Sequence, residues 1–269
     1  MITELDSKLK NIKKSGKKFF APFITAGYPN LSVTEKLILE MEACGADLIE
    51  LGIPFSDPLA DGPIIQHASE VSLQKGTNLT SIFSLVKKVR YFTKIPIVFM
   101  SYYNLIYHYG IDQFVQSAKE NGVNGLIVPD LPPEEALYLI KTAKENNLST
   151  IFLFTPTSSK ERIKLITQKS TGFIYYVSLT GVTGTRDSLS SKIKSDIEIA
   201  RQFTDKPIGV GFGVSNTDQA REAAISSDGV IVGSAIIKEI SNNINESEEN
   251  MVNKVSIFIK QLSKAIHEE

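Results

Sequence analysis

The chain has 269 residues, with 29 Lys and Arg against 30 Asp and Glu, a formal net charge of −1 and 42% apolar residues. That length can bury a sizeable core as one domain, residues 1–269, and the near-neutral charge gives no electrostatic case for nucleic acid or a membrane surface. A single cysteine, Cys44, excludes an intrachain disulfide and a cysteine-rich zinc site, and His67, His108 and His267 have no metal-ligand spacing.

From the start, residues 1–14 are charged throughout and lack the apolar stretch of a signal peptide. No apolar run reaches the length of a membrane span, so a cytoplasmic protein is expected. The lysines of residues 8–18 are interleaved with Leu9, Ile12 and Gly16, which reads as the solvated face of a helix. Short runs rich in Ile, Val and Phe then recur at 19–25, 47–51, 95–100, 125–128, 150–154, 173–177, 207–211 and 229–232. They are mostly too short for helices and read as buried parallel strands. Amphipathic stretches lie between them at 32–43, 79–91, 111–121, 133–146, 159–168, 191–203 and 218–226. Ser32 with Glu35 offers a capping box, and Pro132-Pro133-Glu134 suits a first helical turn. Gly45, Gly122 and Gly229 sit where left-handed caps or tight turns are common, and Cys44 reads as a buried thiol. A polar tract at 241–249 predicts a surface excursion before a terminal helix at 251–267.

Strand–helix alternation repeated eight times predicts a single (β/α)8 TIM barrel with an extra N-terminal helix and a C-terminal helix. An open doubly wound sheet competes, but the strand count favours closure. Working residues of such barrels lie at the C-terminal strand ends. There, alternation puts Leu48, Glu50 and Gly52 on one side of the second strand. A carboxylate among apolar neighbours costs free energy without a partner, and no nearby strand supplies a lysine or arginine, so Glu50 reads as functional. The next loop, Pro54-Phe55-Ser56-Asp57-Pro58-Leu59-Ala60-Asp61-Gly62-Pro63, holds two more carboxylates. Asp57 has a strong reading as a turn former, whereas for Asp61 turn and function stand level.

A second loop, Ser178-Leu179-Thr180-Gly181-Val182-Thr183-Gly184-Thr185-Arg186, is long, small and polar, which suits a mobile lid as well as a plain connection. The last two strands end in Gly211-Phe212-Gly213 and Val232-Gly233-Ser234-Ala235. Glycines there let backbone N–H groups approach a ligand, and Ser234 is expected to cap a short helix whose amino end suits a phosphate. Neither loop carries Lys or Arg, so dipoles and hydroxyls are expected to hold the anion.

Taken together, these segments resemble the α-subunit family of tryptophan synthases. The motifs are Pro22-Phe23-Ile24-Thr25-Ala26-Gly27, Glu50 through Pro58 with Ala60-Asp61-Gly62-Pro63, and Tyr102 with Asn104. Pro129-Asp130-Leu131-Pro132, the Gly181 to Gly184 loop, Gly211-Phe212-Gly213-Val214-Ser215 and Val232-Gly233-Ser234-Ala235 follow in order along nearly the whole chain. The resemblance implies an aldol-type lyase that cleaves indole-3-glycerol phosphate to indole and glyceraldehyde 3-phosphate in tryptophan biosynthesis. It implies no cofactor in this chain, with pyridoxal phosphate in a β subunit and an α2β2 heterotetramer.

By the same resemblance, Glu50 is the acid–base residue and Asp61 the carboxylate facing the indole N–H, supported by Tyr175. Phe23, Tyr102 and Phe212 would line the indole pocket, with Thr183 positioning Asp61. Gly184, Gly213, Gly233 and Ser234 would take the phosphate, and Asp57, Pro58, Asn104 and Pro132 would meet the partner. The chemistry needs a proton at indole C3, support for the ring nitrogen's positive charge and removal of a hydroxyl proton, for which two carboxylates suffice without a metal. Other phosphate-binding barrels would need a strand-end catalytic lysine or a histidine metal set, which the strand ends lack. Two neighbouring readings are a stand-alone indole-3-glycerol phosphate lyase and a non-catalytic activating partner of a β subunit. The presence of both Glu50 and Asp61 argues against the second.

Overall fold

The protein is represented by a computed structural model that describes residues 2–178, 186–211 and 213–268. Its elements run α1 (Glu4–Lys14), β1 (Phe19–Thr25), α2 (Leu31–Ala43), β2 (Ile49–Gly52), α3 (Pro63–Gln74), α4 (Leu79–Val89) and β3 (Ile97–Met100). Then follow α5 (Tyr103–Tyr109), α6 (Ile111–Glu120), β4 (Gly125–Ile127), α7 (Leu137–Glu145), β5 (Ser149–Ile151), β6 (Leu153–Phe154) and α8 (Lys160–Lys169). The chain continues through β7 (Ile174–Val177), α9 (Arg186–Arg201), β8 (Ile208–Gly211), α10 (Thr217–Ser226), β9 (Gly229–Val232), α11 (Ser234–Asn242) and α12 (Glu248–His267).

All strand pairings are parallel, and the spatial order is β5-β4-β3-β2-β1-β9-β8-β7-β6. The two ends of that order, β5 and β6, are consecutive in the chain and separated only by Phe152. The strand expected at 150–154 is therefore one stave in two pieces, pairing with β4 on one side and β7 on the other. Phe152 causes the break: its N–H turns to Ser170 Oγ at 3.2 Å, while its carbonyl accepts from Tyr175 N–H at 3.1 Å. The sheet closes there, and the eight-stave barrel read from the alternation is the fold.

Large side chains fill the barrel floor. The Phe19 ring occupies space that a Cβ on Gly229 or Gly209 would share, at 2.3 and 2.6 Å respectively. Gly229 is thus a packing glycine inside a strand rather than the cap or turn its position suggested. Gly45 and Gly122 do adopt left-handed φ, at +96° and +92°.

Across the bottom lies α1, with Leu5 and Leu9 fully buried. Thr3 and Asp6 form its capping box, Thr3 Oγ1 meets Ser149 Oγ at 2.7 Å, and Asp6 accepts from Gly172 N–H at 2.6 Å. Not every lysine of this region is solvated as expected: Lys13 reaches Asp205 O at 2.8 Å and Lys18 reaches Ser227 O at 2.7 Å. α12 returns to the same face, where His267 Nε2 and Asp47 Oδ2 lie 3.0 Å apart.

Four other local expectations shift. Asn30, not Ser32, caps α2 by accepting from Val33 N–H at 2.9 Å, and Ser32 instead donates to Glu248 at 3.0 Å. The helix expected from residue 133 begins at Leu137, because Glu135 and Ala136 both turn back to the Pro132 carbonyl. Residues 63–74, left outside the helices by the sequence, form α3 behind Pro63 at its first position. Cys44 is half-buried, its thiol donating to Ser256 O at 3.3 Å. No helix among the described residues is long and apolar enough to cross a membrane.

Candidate active site

A cavity of about 270 Å³ opens at the C-terminal strand ends, lined by Phe23, Glu50, Asp61, Met100, Tyr175, Gly213, Gly233, Ser234 and Lys238 among others. Glu50 reaches it from β2, held in register between Phe23 of β1 and Val98 of β3. Only 1% of Glu50 is exposed, and its Oε2 has no hydrogen-bond partner among the described atoms. Among the described residues no lysine or arginine forms an ion pair with it. Burial pushes its pKa up to about 8, and the nearby Asp61 adds to the rise. Near neutrality this side chain therefore carries a proton in an apolar setting.

Asp61 stands on the loop between β2 and α3, a loop tied down by Gln66, whose amide donates to the Asp61 carbonyl at 2.8 Å. The carboxylate is less solvated than a polar loop implies: burial raises its pKa to about 6, and a hydrogen bond from Tyr102 opposes the rise. That bond, Tyr102 Oη to Asp61 Oδ2, measures 3.0 Å. Tyr102 Oη in turn accepts from Ala60 N–H at 2.9 Å, and its ring stacks on Phe55 with centroids 5.2 Å apart. Direct support of Asp61 among the described contacts thus comes from Tyr102. Tyr175, for which that role was expected, lines the cavity beside both carboxylates, and burial, then Glu50 and Asp61, hold its phenol protonated.

Glycines shape the aromatic wall. A Cβ on Gly52 would stand 2.6 Å from the Phe23 ring and one on Gly233 3.2 Å from it, while one on Gly211 would strike Tyr175 Oη at 2.3 Å. Among the described glycines that line the cavity, Gly213, at φ +79°, has the left-handed backbone that favours glycine, and Gly233 does not. Gly233, rather than Ser234, occupies the cap position of α11, and Ser234 is the first helical residue without a side-chain cap bond. The free N–H groups of that first turn and the Ser234 hydroxyl belong to the lining of the same cavity as the two carboxylates. Lys238 joins them there. It lies inside a helix and not in a strand-end loop, so the sequence marks it only by its spacing of four from Ser234.

Around the mouth, Asp57 and Asn104 are exposed, Pro132 is half-buried and Pro58 is buried within the chain. Leu59 and Tyr107, not singled out beforehand, are 92% and 69% exposed on the same two segments. Asp130, from the Pro129-Asp130 motif, accepts from Tyr103 N–H at 2.9 Å and so fixes the start of α5. Thr183, Gly184 and Phe212 lie outside the described residues. No group of three or more metal-ligating side chains occurs among the described residues.

A family model described as tryptophan synthase alpha chain matches residues 9–267. The tryptophan synthase alpha chain of Thermoanaerobacter pseudethanolicus is 43% identical over 265 residues, covering 98% of this chain and 100% of that one. Its counterpart from Geotalea uraniireducens is 49% identical over 237 residues, or 88% of this chain and 89% of the relative. The crystal structure of tryptophan synthase subunit alpha from Legionella pneumophila superposes with a TM-score of 0.91 at 35% identity, covering 99% of each chain. By sequence over nearly its full length, and by fold, the chain belongs to the tryptophan synthase alpha chain family.

Proposed function

We propose that Glu50 and Asp61 together perform the acid–base chemistry of this chain's reaction. The reaction is that of the family, cleavage of indole-3-glycerol phosphate to indole and glyceraldehyde 3-phosphate, a lyase step in tryptophan biosynthesis. The alpha chain carries no cofactor of its own; pyridoxal phosphate belongs to the β subunit with which it works. The observation that carries the assignment is Glu50's proton, kept near neutrality by burial, in the cavity that Asp61 also lines.

Glu50 gives that proton to indole C3, and the ring becomes a cationic indolenine. Asp61, ionised above about pH 6, faces the ring N–H and offsets the new charge. The Glu50 carboxylate then takes the proton of the side-chain hydroxyl as the carbon–carbon bond breaks. The bonding electrons return to the ring, releasing indole and an aldehyde and leaving Glu50 protonated again. In this reading the ring is the ligand of Phe23, Tyr102 and Phe212, with Tyr175 and Thr183 assigned to Asp61 by the family resemblance. Gly184, Gly213, Gly233 and Ser234 hold the phosphate.

The reading extends to a cytoplasmic, single-domain chain in an α2β2 heterotetramer that meets its partner through Asp57, Pro58, Asn104 and Pro132. Glu50→Gln tests the chemistry. Indole release should fall by about 10²–10⁴, the usual worth of an acid–base residue, while folding and ligand binding persist. Near-normal turnover in Glu50→Gln would overturn the mechanism. Indole release by the isolated wild-type chain separates an enzyme from a merely activating partner.

A further inference from the structure

We propose that Lys238 binds the substrate's phosphate, supplying its positive countercharge from the second turn of α11. The inference rests on the phosphate reading of Gly213, Gly233 and Ser234 given above. Among the described residues that line the cavity, Lys238 is the sole cation, and it stands on the wall with Gly213, Ser215, Gly233 and Ser234. Ser234 and Lys238 are four apart on one helix and so share a face. Helical side chains lean toward the helix amino end, so a long side chain at 238 covers the turn beginning at Ser234. None of the ion pairs among the described residues engages Lys238, which leaves the ammonium available.

Charge explains why the site needs it. A phosphate ester brings about two negative charges near neutrality. It enters a cavity that already holds the carboxyl groups of Glu50 and Asp61. Dipoles of one helix terminus amount to roughly half a charge. One lysine on α11, with the carboxylates on β2 and the loop after it, gives the cavity charges of both signs on different elements. That polarity fixes which way round the substrate binds, with the phosphate at α11 and the ring at Glu50 and Asp61.

The test uses the full chain as wild type, Lys238→Met and Lys238→Arg, with indole-3-propanol phosphate and indole-3-propanol as probes. Lys238→Met keeps the aliphatic stem and should weaken the phosphate ester about tenfold, the worth of a charge-assisted hydrogen bond at a half-open site. Binding of the alcohol should change less than about twofold, and Lys238→Arg should recover most of the loss. Raising salt should weaken the ester in wild type more steeply than in Lys238→Met, because the screened charge is gone. The Michaelis constant for the full substrate should rise in parallel. If Lys238→Met keeps the wild-type preference for the ester and its salt dependence, the role of Lys238 is overturned while the phosphate site stands. If wild type binds the alcohol as tightly as the ester, the phosphate reading falls and Lys238 falls with it.

Discussion

At the scale of residues, the site is a pair of carboxylates that burial moves in one direction but to different heights. The proposed mechanism requires Asp61 ionised and Glu50 protonated, so turnover should rise with pH through about 6 and fall above about 8. The two limbs are macroscopic values of the pair. Tyr102 donates to Asp61 and holds its pKa down, so Tyr102→Phe should move the acidic limb to higher pH. An acidic limb left in place in a pH–rate profile would remove Tyr102 from that role. Stability follows the same shifts with a definite sign. Glu50 titrates higher folded than unfolded, so its ionisation takes no stability away below about pH 4.5, and the loss grows until about pH 8. Glu50→Gln should therefore gain thermal stability over wild type as pH rises across that window, even as its turnover collapses. Glu50 was legible in the sequence because a carboxylate in an apolar strand demands a reason. The Tyr102–Asp61 bond was not, since 41 residues separate its ends and only the barrel brings them together.

At the scale of elements, the sequence exposes those whose apolar spacing is strong and hides those buried by small or polar groups. The buried face of α3 includes Ala68, Ser69 and Ser72, which dilute its helical signal. That face is small because the chain at Gly27 approaches it closely: a Cβ there would stand 2.2 Å from Thr77 Oγ1 and 2.4 Å from Ser72 Oγ. Ser72 uses the closeness to donate to Ala26 O at 2.6 Å. Gly27 also has φ +80°, so Gly27→Ala should cost at least about 1–2 kcal/mol, read as a lower urea midpoint. A midpoint equal to wild type would mean the loop relaxes freely. At the bottom, Asp6 both caps α1 and accepts from Gly172 N–H, joining the N-terminal helix to the barrel. Asp6→Ala should cost about 1–3 kcal/mol and loosen α1 first, which hydrogen exchange at residues 7–14 would register. The wrong capping residue assigned to α2 has a similar origin: Asn30 and Ser32 are both good caps, and Glu248, far along the chain, claims Ser32.

At the scale of the whole molecule, the eightfold alternation was enough to specify a closed parallel barrel, while the seam was illegible. Nothing in the run at 150–154 shows that Phe152 N–H will choose Ser170 over a ladder partner. The seam has a consequence for how labour is divided along the chain. It separates a first half, β1 to β5, from a second, β6 to β9, and the halves are otherwise stitched by the β1–β9 ladder. Both carboxylates belong to the first half, whereas Gly213, Gly233, Ser234 and Lys238 belong to the second. On the proposed roles, proton transfer is encoded upstream and anion capture downstream, and residues of both halves line the one cavity. A chain severed within residues 155–158, just past the seam in the turn after β6, leaves β1–β6 with both carboxylates in one piece and β7–β9 with Gly213, Gly233, Ser234 and Lys238 in the other, and each piece alone should be inert. Mixed and refolded together, they should release indole again, and either piece working alone would contradict that partition.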